Sequence, residues 1–108
     1  MYFANTSVST NLILYKGLLD RYLKDQKDQQ INDLFSSVII ITHKLITGQI
    51  KESEVDHKVY NLVVELSDHN KTHTHNYFRD INPENIGLAQ LETLRNILNS
   101  LIASDTHD

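Results

Sequence analysis

The chain has 108 residues, no cysteine and a formal net charge of −4, which fits one small domain that buries a core without disulfides. With 40% hydrophobic and 22% charged residues, its composition is that of a folded protein rather than a disordered one. The lack of cysteine excludes disulfides, thiolate metal sites and thiol catalysis. The acidic balance argues against nucleic-acid binding, since phosphate contacts need clustered lysine and arginine.

No apolar run approaches the roughly 18 residues that a membrane span needs. The N-terminal stretch MYFANTSVST lacks the basic and apolar regions of a signal peptide. We therefore expect a cytoplasmic protein with no membrane span. Three glycines and one proline leave few turns, which favours a few long elements over many short strands.

The first predicted helix covers residues 11–25 and starts after an N-cap at Ser9 or Thr10. Its apolar stripe has helical +3, +4 and +3 spacing and consists of Leu12, Tyr15, Leu19 and Tyr22. The polar run KDQKDQQ ends the pattern and predicts a connection to the next helix.

The second predicted helix covers residues 31–47, with Gly48 placed as a left-handed C-cap. Its apolar face consists of Ile31, Leu34, Phe35, Val38, Thr42 and Leu45. The run VIII adds apolar side chains on the back of this helix, at Ile39, Ile40 and Ile41. Such a helix is either central or has its back covered by a partner chain. We predict a partner-binding surface at Ile39, Ile40, Ile41 and His43, and self-association if the isoleucines are not all covered within the monomer.

The third predicted helix covers residues 53–79. Ser53 is its expected N-cap, and Glu54 and Asp56 place negative charge at the positive end of the helix dipole. The apolar stripe that follows consists of Val55, Val59, Leu62, Val63 and Leu66.

The fourth predicted helix covers residues 83–103, with Asn82 as N-cap and Pro83 at the first helical position. Its buried face consists of Leu91, Leu94, Leu98 and Leu101, flanked by Leu88, Ile97 and Ile102. Four amphipathic helices with short connections predict an all-α protein, an antiparallel four-helix bundle.

The stretch DHNKTHTHNYFRD holds three of the six histidines. If the third helix continues through it, His69 and His73 form an i, i+4 pair facing the bundle, and His75 points to solvent. Such a pair can ligate zinc, with Asp80 as a third ligand on the same stripe. We prefer the alternative, that these residues are the polar outgoing end of the helix, and predict neither a metal nor another cofactor.

His43, in ITHKLITG, raises histidine phosphotransfer as a further alternative, since phosphotransfer domains are four-helix bundles of this size. The order of the residues departs from their pattern, because Lys44 follows His43 immediately and Gly48 comes five residues later. A helical wheel of the second predicted helix places His43 at the solvated edge of the apolar face. Nucleophile and phosphate-loop motifs are also lacking, so we predict a protein that is not an enzyme and that binds another protein or a peptide.

The stretch NTSVSTNLILYKGLLDRYL resembles the start of the flagellar export chaperone FliS, which has an S-V-N-T-like segment followed by L-Y-x-G-x-L. The matching residues are Ser7, Val8, Thr10, Leu14, Tyr15, Gly17 and Leu19, the last displaced by one position. The stretch NPENIGLAQLETLRNIL is similar to the last FliS helix. The resemblance implies an antiparallel helical bundle that holds the C-terminal segment of flagellin as helices, with Ile40 under a client helix.

The stretch YNLVVELSDHNKTHTHNYFRD is similar to a helix of the immunity proteins that protect producers of class IIa bacteriocins. An N-x-Y-R-like ending is matched by Asn76, Tyr77 and Arg79. This second resemblance also implies a four-helix bundle without enzymatic activity. A full helix follows this stretch here, whereas those proteins end soon after it.

Overall fold

The structure, a computed structural model, describes residues 2–68 and 72–106, with side chains described for residues 12–67 and 74–103. Every regular element in this part of the chain is helical. Its α-helices are α1 Tyr2–Asp25, α2 Gln29–Ile46, α3 Tyr60–Asp68, α4 Thr72–Asp80 and α5 Leu88–Thr106. Two short 3-10 helices lie at Glu52–Glu54 and His57–Val59. The predicted all-α class is confirmed, whereas the α-helices within the described ranges number five rather than four.

The first of two compact units comprises Met1–Asp33 and Gly87–Asp108, in which α1 packs against α5. The predicted stripes of these two helices are buried there, apart from Tyr15, which is half-buried. Their buried side chains are Leu12, Leu19, Tyr22, Leu91, Leu94, Leu98 and Leu101. Each large aliphatic side chain removed from water stabilises the fold by about 1.5 to 3 kcal/mol before entropy is counted.

The second compact unit, Leu34–Ile86, contains most of α2 together with α3 and α4. The stripe predicted for the third segment is buried in full. The buried residues of this unit are Phe35, Val38, Ile39, Thr42, His43, Val55, Val59, Leu62, Val63, Leu66, Thr74 and Phe78. Thr42 lies in this apolar setting because its hydroxyl donates to the Val38 carbonyl, 2.7 Å away.

The connection between α1 and α2 consists of residues 26–28, which lie within the polar run that the sequence indicated. Gln26 follows α1 in a left-handed conformation, with φ of 57°, and its N–H donates to the Tyr22 carbonyl over 2.6 Å. Asp28 then begins α2, since its Oδ1 accepts from the N–H groups of Gln30 and Ile31. At the other end of α2, Gly48 has φ of 80°, so the predicted left-handed cap is confirmed.

Residues 53–79 do not form one helix. Ser53 lies inside the first 3-10 helix, where Glu54 accepts from the Lys51 N–H over 2.7 Å. Asp56 then accepts from the Lys58 N–H over 2.9 Å and starts the second 3-10 helix, from which α3 continues at Tyr60. The expected helix start at Ser53 is wrong because Glu54 and Asp56 bond to local backbone groups in successive turns, as short acceptors do near helix ends.

The last helix begins at Leu88 rather than at Pro83. Asn82 accepts from the Glu84 N–H over 3.0 Å, and its carbonyl accepts from the Asn85 N–H, which makes a turn around Pro83. The cap of α5 lies five residues later, where the Gln90 side chain accepts from the Gly87 N–H over 2.7 Å. An Asn-Pro pair suits a turn as well as a helix start, and here the turn is formed.

No helix among the described residues is both long enough and apolar enough to cross a membrane.

A candidate protein-binding surface on the first helix

Two large aliphatic side chains of α1, Ile13 and Leu14, lie on its solvent side. They are 52% and 60% exposed, whereas Leu12 is 3% exposed. Because residues of an α-helix are rotated by about 100° each, Ile13 and Leu14 lie about 100° and 200° away from Leu12 around the axis. The buried face of α1 therefore leaves this aliphatic pair in water.

Gly17 lies beside this pair, one turn further along α1. Residues three and four apart are neighbours on a helix surface, so Gly17 adjoins Leu14 and Ile13 on one side and Arg21 on the other. A Cβ atom built on Gly17 meets no atom within 4 Å. Nothing within the described chain thus requires a glycine here, although glycine in a helix interior costs about 0.5 to 1 kcal/mol relative to alanine.

A groove of about 510 Å³ opens where α1 meets α2. Its apolar lining comes from Leu18, Tyr22 and Ile31. Leu18 is one turn beyond Leu14 on the same side of α1, so the exposed aliphatic surface leads into the groove. The polar residues that line it are Arg21, Asp25, Lys27, Asp28, Gln29 and Gln30.

The shape of the groove is set by hydrogen bonds within the first unit. The Tyr22 hydroxyl accepts from the Asn32 side-chain amide over 2.7 Å, which joins the end of α1 to the start of α2. The Asp25 carboxylate accepts from the Lys27 N–H over 3.2 Å. A hydrogen bond therefore fixes Tyr22 in the apolar floor of the groove. At the rim, the Asp25 carboxylate is hydrogen-bonded to the backbone.

Asp20 links α1 to α5 in the same unit. Its carboxylate pairs with the Lys16 ammonium at 2.8 Å and the Arg95 guanidinium at 3.1 Å. The hydrogen bond from Lys16 is the main reason that the pKa of Asp20 lies below its ordinary value, with Arg95 acting in the same direction against partial desolvation. Ionised Asp20 thus helps to hold the helix that carries the exposed surface.

The partner-binding surface predicted on the back of α2 is not a continuous exposed patch. Ile39 has no exposed surface and is part of the core, while Ile40 and Ile41 are half-buried. Ile39 is therefore removed from that predicted surface. The buried face of α2 is centred on Phe35, Val38 and Ile39. Compared with the predicted apolar face, it is rotated about the helix axis toward Ile39. Partner binding at Ile40 and Ile41 stays a prediction.

His43 is buried, 8% exposed, so the prediction that it lies at a solvated edge is wrong. Its Nδ1 lies 2.7 Å from the Phe78 carbonyl oxygen. A carbonyl oxygen can only accept, so Nδ1 carries the proton and donates it. The imidazole is thus a polar core group that joins α2 to α4. It is therefore not part of an exposed binding surface.

The histidine pair His69 and His73 lies outside the residues whose side chains the structure describes. The third proposed ligand, Asp80, is exposed and both its oxygens accept from the Arg79 guanidinium, at 2.9 and 3.1 Å. That hydrogen bonding lowers the pKa of Asp80. His75 is exposed, as expected. Among the described residues no three histidine or carboxylate side chains group closely enough to hold a metal ion.

No family model, curated protein or solved structure matches this chain. The apolar stripe predicted for this helix starts at Leu12 and does not include Ile13 or Leu14, so the sequence did not predict their exposed surface. The signal was available, since two adjacent aliphatic residues lie off that stripe in a helix with one buried face.

Proposed function

We propose that the protein binds a helical segment of another protein on the exposed face of α1. The observation that supports this proposal is that Ile13 and Leu14 are exposed beside Gly17. No contact within the described chain requires a glycine at that position. A glycine beside aliphatic side chains lets a partner's backbone approach closely. An amphipathic helix is the occupant that uses such a surface, since its apolar side chains recur on one face.

The specific form of this proposal is a FliS-like secretion chaperone acting in the cytoplasm, without enzymatic activity. The residues that resemble FliS include Leu14, Tyr15 and Gly17. Two of them, Leu14 and Gly17, lie on the exposed surface of α1. As part of this proposal, the chain forms the antiparallel four-helix bundle that the resemblance implies. The client is then the C-terminal segment of a flagellin, which becomes helical when it is held.

The test is to mix the purified chain with the C-terminal segment of a flagellin and measure helical content by circular dichroism. We expect the mixture to be more helical than the sum of its parts. Leu14→Glu places a charge on the proposed contact and should abolish the gain. It should still fold, because Leu14 is 60% exposed.

Ser100→Glu is the matched control, since it adds the same charge to an exposed position of α5 and should leave the helicity gain intact. No gain with any flagellin tail would remove the chaperone proposal. An equal gain in helical content with Leu14→Glu would exclude the exposed face of α1 as the binding site. Protection of a bacteriocin-sensitive strain by the expressed chain, without flagellin binding, would favour the immunity protein instead.

A further inference from the structure

We infer that the exposed face of α1 binds the same face of a second copy of this chain, with the two α1 helices antiparallel and crossing at Gly17. Such a dimer requires no client and so goes beyond the proposed function, although a client helix and a second copy use one surface. A two-fold dimer needs a surface that is complementary to itself. On α1, the glycine, the aliphatic side chains and the order of the charges each meet this condition.

Gly17 is the residue that this pairing places on the two-fold axis. A residue at the crossing point of two antiparallel helices meets the same residue of the other copy, so a side chain there has to be accommodated twice. Glycine has no side chain and lets the two backbones approach closely. A Cβ atom built on Gly17 meets no atom within 4 Å, so this side of α1 is open to a second helix.

The aliphatic side chains around Gly17 cover one another in this arrangement. In an antiparallel pair, residues at equal distances before and after the crossing point lie opposite each other. Leu14 and Leu18 share one side of α1, so two copies bring four leucine side chains together there. Leu14 is 60% exposed and Leu18 is half-buried in the single chain, and the second copy covers both. Ile13, 52% exposed, is covered on the other side of Gly17, and removing these side chains from water drives association.

The order of the charges along α1 fits the antiparallel arrangement. Residues 1–15 contain no charged residue, whereas Arg21, Lys24 and Asp25 are exposed beyond Gly17. Antiparallel pairing sets these three residues against the uncharged half of the other helix, so like charges do not meet. Parallel pairing sets Arg21 against Arg21 and Asp25 against Asp25, and like charges placed together repel. The charges therefore select the antiparallel orientation.

The groove at the far end of this face has a rim of balanced charge. Its charged residues are two cations and two carboxylates, Arg21, Lys27, Asp25 and Asp28. Such a rim favours neither an acidic nor a basic helix by its net charge, and it accepts an uncharged one without repulsion. The first half of α1 is an uncharged helix of this kind, and antiparallel pairing brings it toward the groove of the other copy.

The dimer covers the surface that the proposed function assigns to a client. Contiguous apolar surface seldom stays exposed on a folded protein, and here a second copy removes it from water while no client is bound. A helical client then displaces the second copy, so client binding and dissociation of the dimer are coupled.

A cysteine placed at the crossing point tests this arrangement directly. The chain has no cysteine, so Gly17→Cys introduces its only thiol. The two copies of that thiol meet in the dimer, and oxidised glutathione, which accepts the two electrons, should convert them into a disulfide. The added side chain fits the single chain, because a Cβ atom at this position meets no atom within 4 Å. Non-reducing gel electrophoresis follows the covalent dimer over time.

Arg21→Cys is the matched control, because it places a thiol at an exposed position one turn further along the same helix. Its two copies are separated by about 12 Å along the antiparallel helices, beyond the roughly 7 Å between Cα atoms that a disulfide spans. We expect Gly17→Cys to form the covalent dimer at least about tenfold faster than Arg21→Cys. Equal rates would mean parallel or random encounter and would overturn the inference. Circular dichroism of both variants shows that the helices persist.

Sedimentation velocity measures the same association without a cross-link. The native chain should contain a dimer whose share rises with protein concentration. Leu14→Glu should be monomeric, while Ser100→Glu, the same charge at an exposed position of α5, should form the dimer as the native chain does. A native chain that stays monomeric, or a dimer that Leu14→Glu leaves unchanged, overturns the inference. Neither experiment contains flagellin, so the helicity assay decides the proposed function separately.

Discussion

Asp20 is the charged residue whose surroundings predict a measurable pH effect. Its folded-state pKa is lowered, chiefly by the hydrogen bond from Lys16, so the ionised form favours the folded chain. The resulting stability is present above the unfolded pKa, about 3.9, and is lost as pH falls through the lower folded value. Its side chain is 33% exposed, so solvent screens both pairs.

We expect Asp20→Asn to reduce the free energy of unfolding by about 0.5 kcal/mol at pH 7. It should also weaken the dependence of stability on pH below about 4. Urea unfolding at several pH values measures both effects. Glu92→Gln removes an exposed carboxylate from α5 as a control. A loss at pH 3 as large as that at pH 7 would show that the ion pairs are not its cause.

His43 shows where sequence reasoning fails at the scale of one residue. A helical wheel places it at the edge of an apolar face, which usually means partial solvation. The wheel cannot show that the Phe78 carbonyl of another helix lies 2.7 Å from its ring nitrogen. A buried imidazole is acceptable only with such a partner, and the partner is 35 residues away in sequence.

At the scale of the element, the C-terminal ends of α1 and α2 can be compared directly. Both helices are followed by a residue in the left-handed region, Gln26 with φ of 57° and Gly48 with φ of 80°. Residues other than glycine occupy this region at a cost, so the end of α1 is strained where the end of α2 is not.

We expect Gln26→Gly to raise the free energy of unfolding by about 0.5 to 1 kcal/mol, since relief of the left-handed cost exceeds the added freedom of the unfolded chain. Gly48→Ala should lower it by about 1 kcal/mol, although no atom lies within 4 Å of the added Cβ. Thermal unfolding of both variants measures the two shifts. Destabilisation by Gln26→Gly would mean that the glutamine side chain matters more than its backbone.

Helix faces were predicted better than helix ends. The stripes of the third and fourth segments are buried at Val59, Leu66, Leu94 and Leu98, because burial follows directly from apolar periodicity. The ends depend on which of several short polar side chains bonds to which backbone group. Asn82 forms a turn rather than a cap, and sequence alone does not decide between these.

At the scale of the whole molecule, the exposed face of α1 carries the proposed function. The sequence did not predict that face, because the resemblance to FliS, although it includes Leu14 and Gly17, placed the client helix over Ile40 of the second helix. The physical basis of the proposed function is that Ile13 and Leu14 lie in water and that Gly17 adjoins them without an internal reason for a glycine. Stability and binding should therefore respond in opposite directions to one change at Gly17.

The most direct measurement is made on Gly17→Ala, with thermal stability and affinity for a flagellin C-terminal segment determined on the same preparation. The added methyl group meets nothing within 4 Å and favours the helix, so the free energy of unfolding should rise by about 0.5 to 1 kcal/mol. The same methyl group holds the partner away, so affinity should fall by about tenfold, or about 1.4 kcal/mol. A more stable variant that binds as tightly as the native chain would contradict the role of this surface.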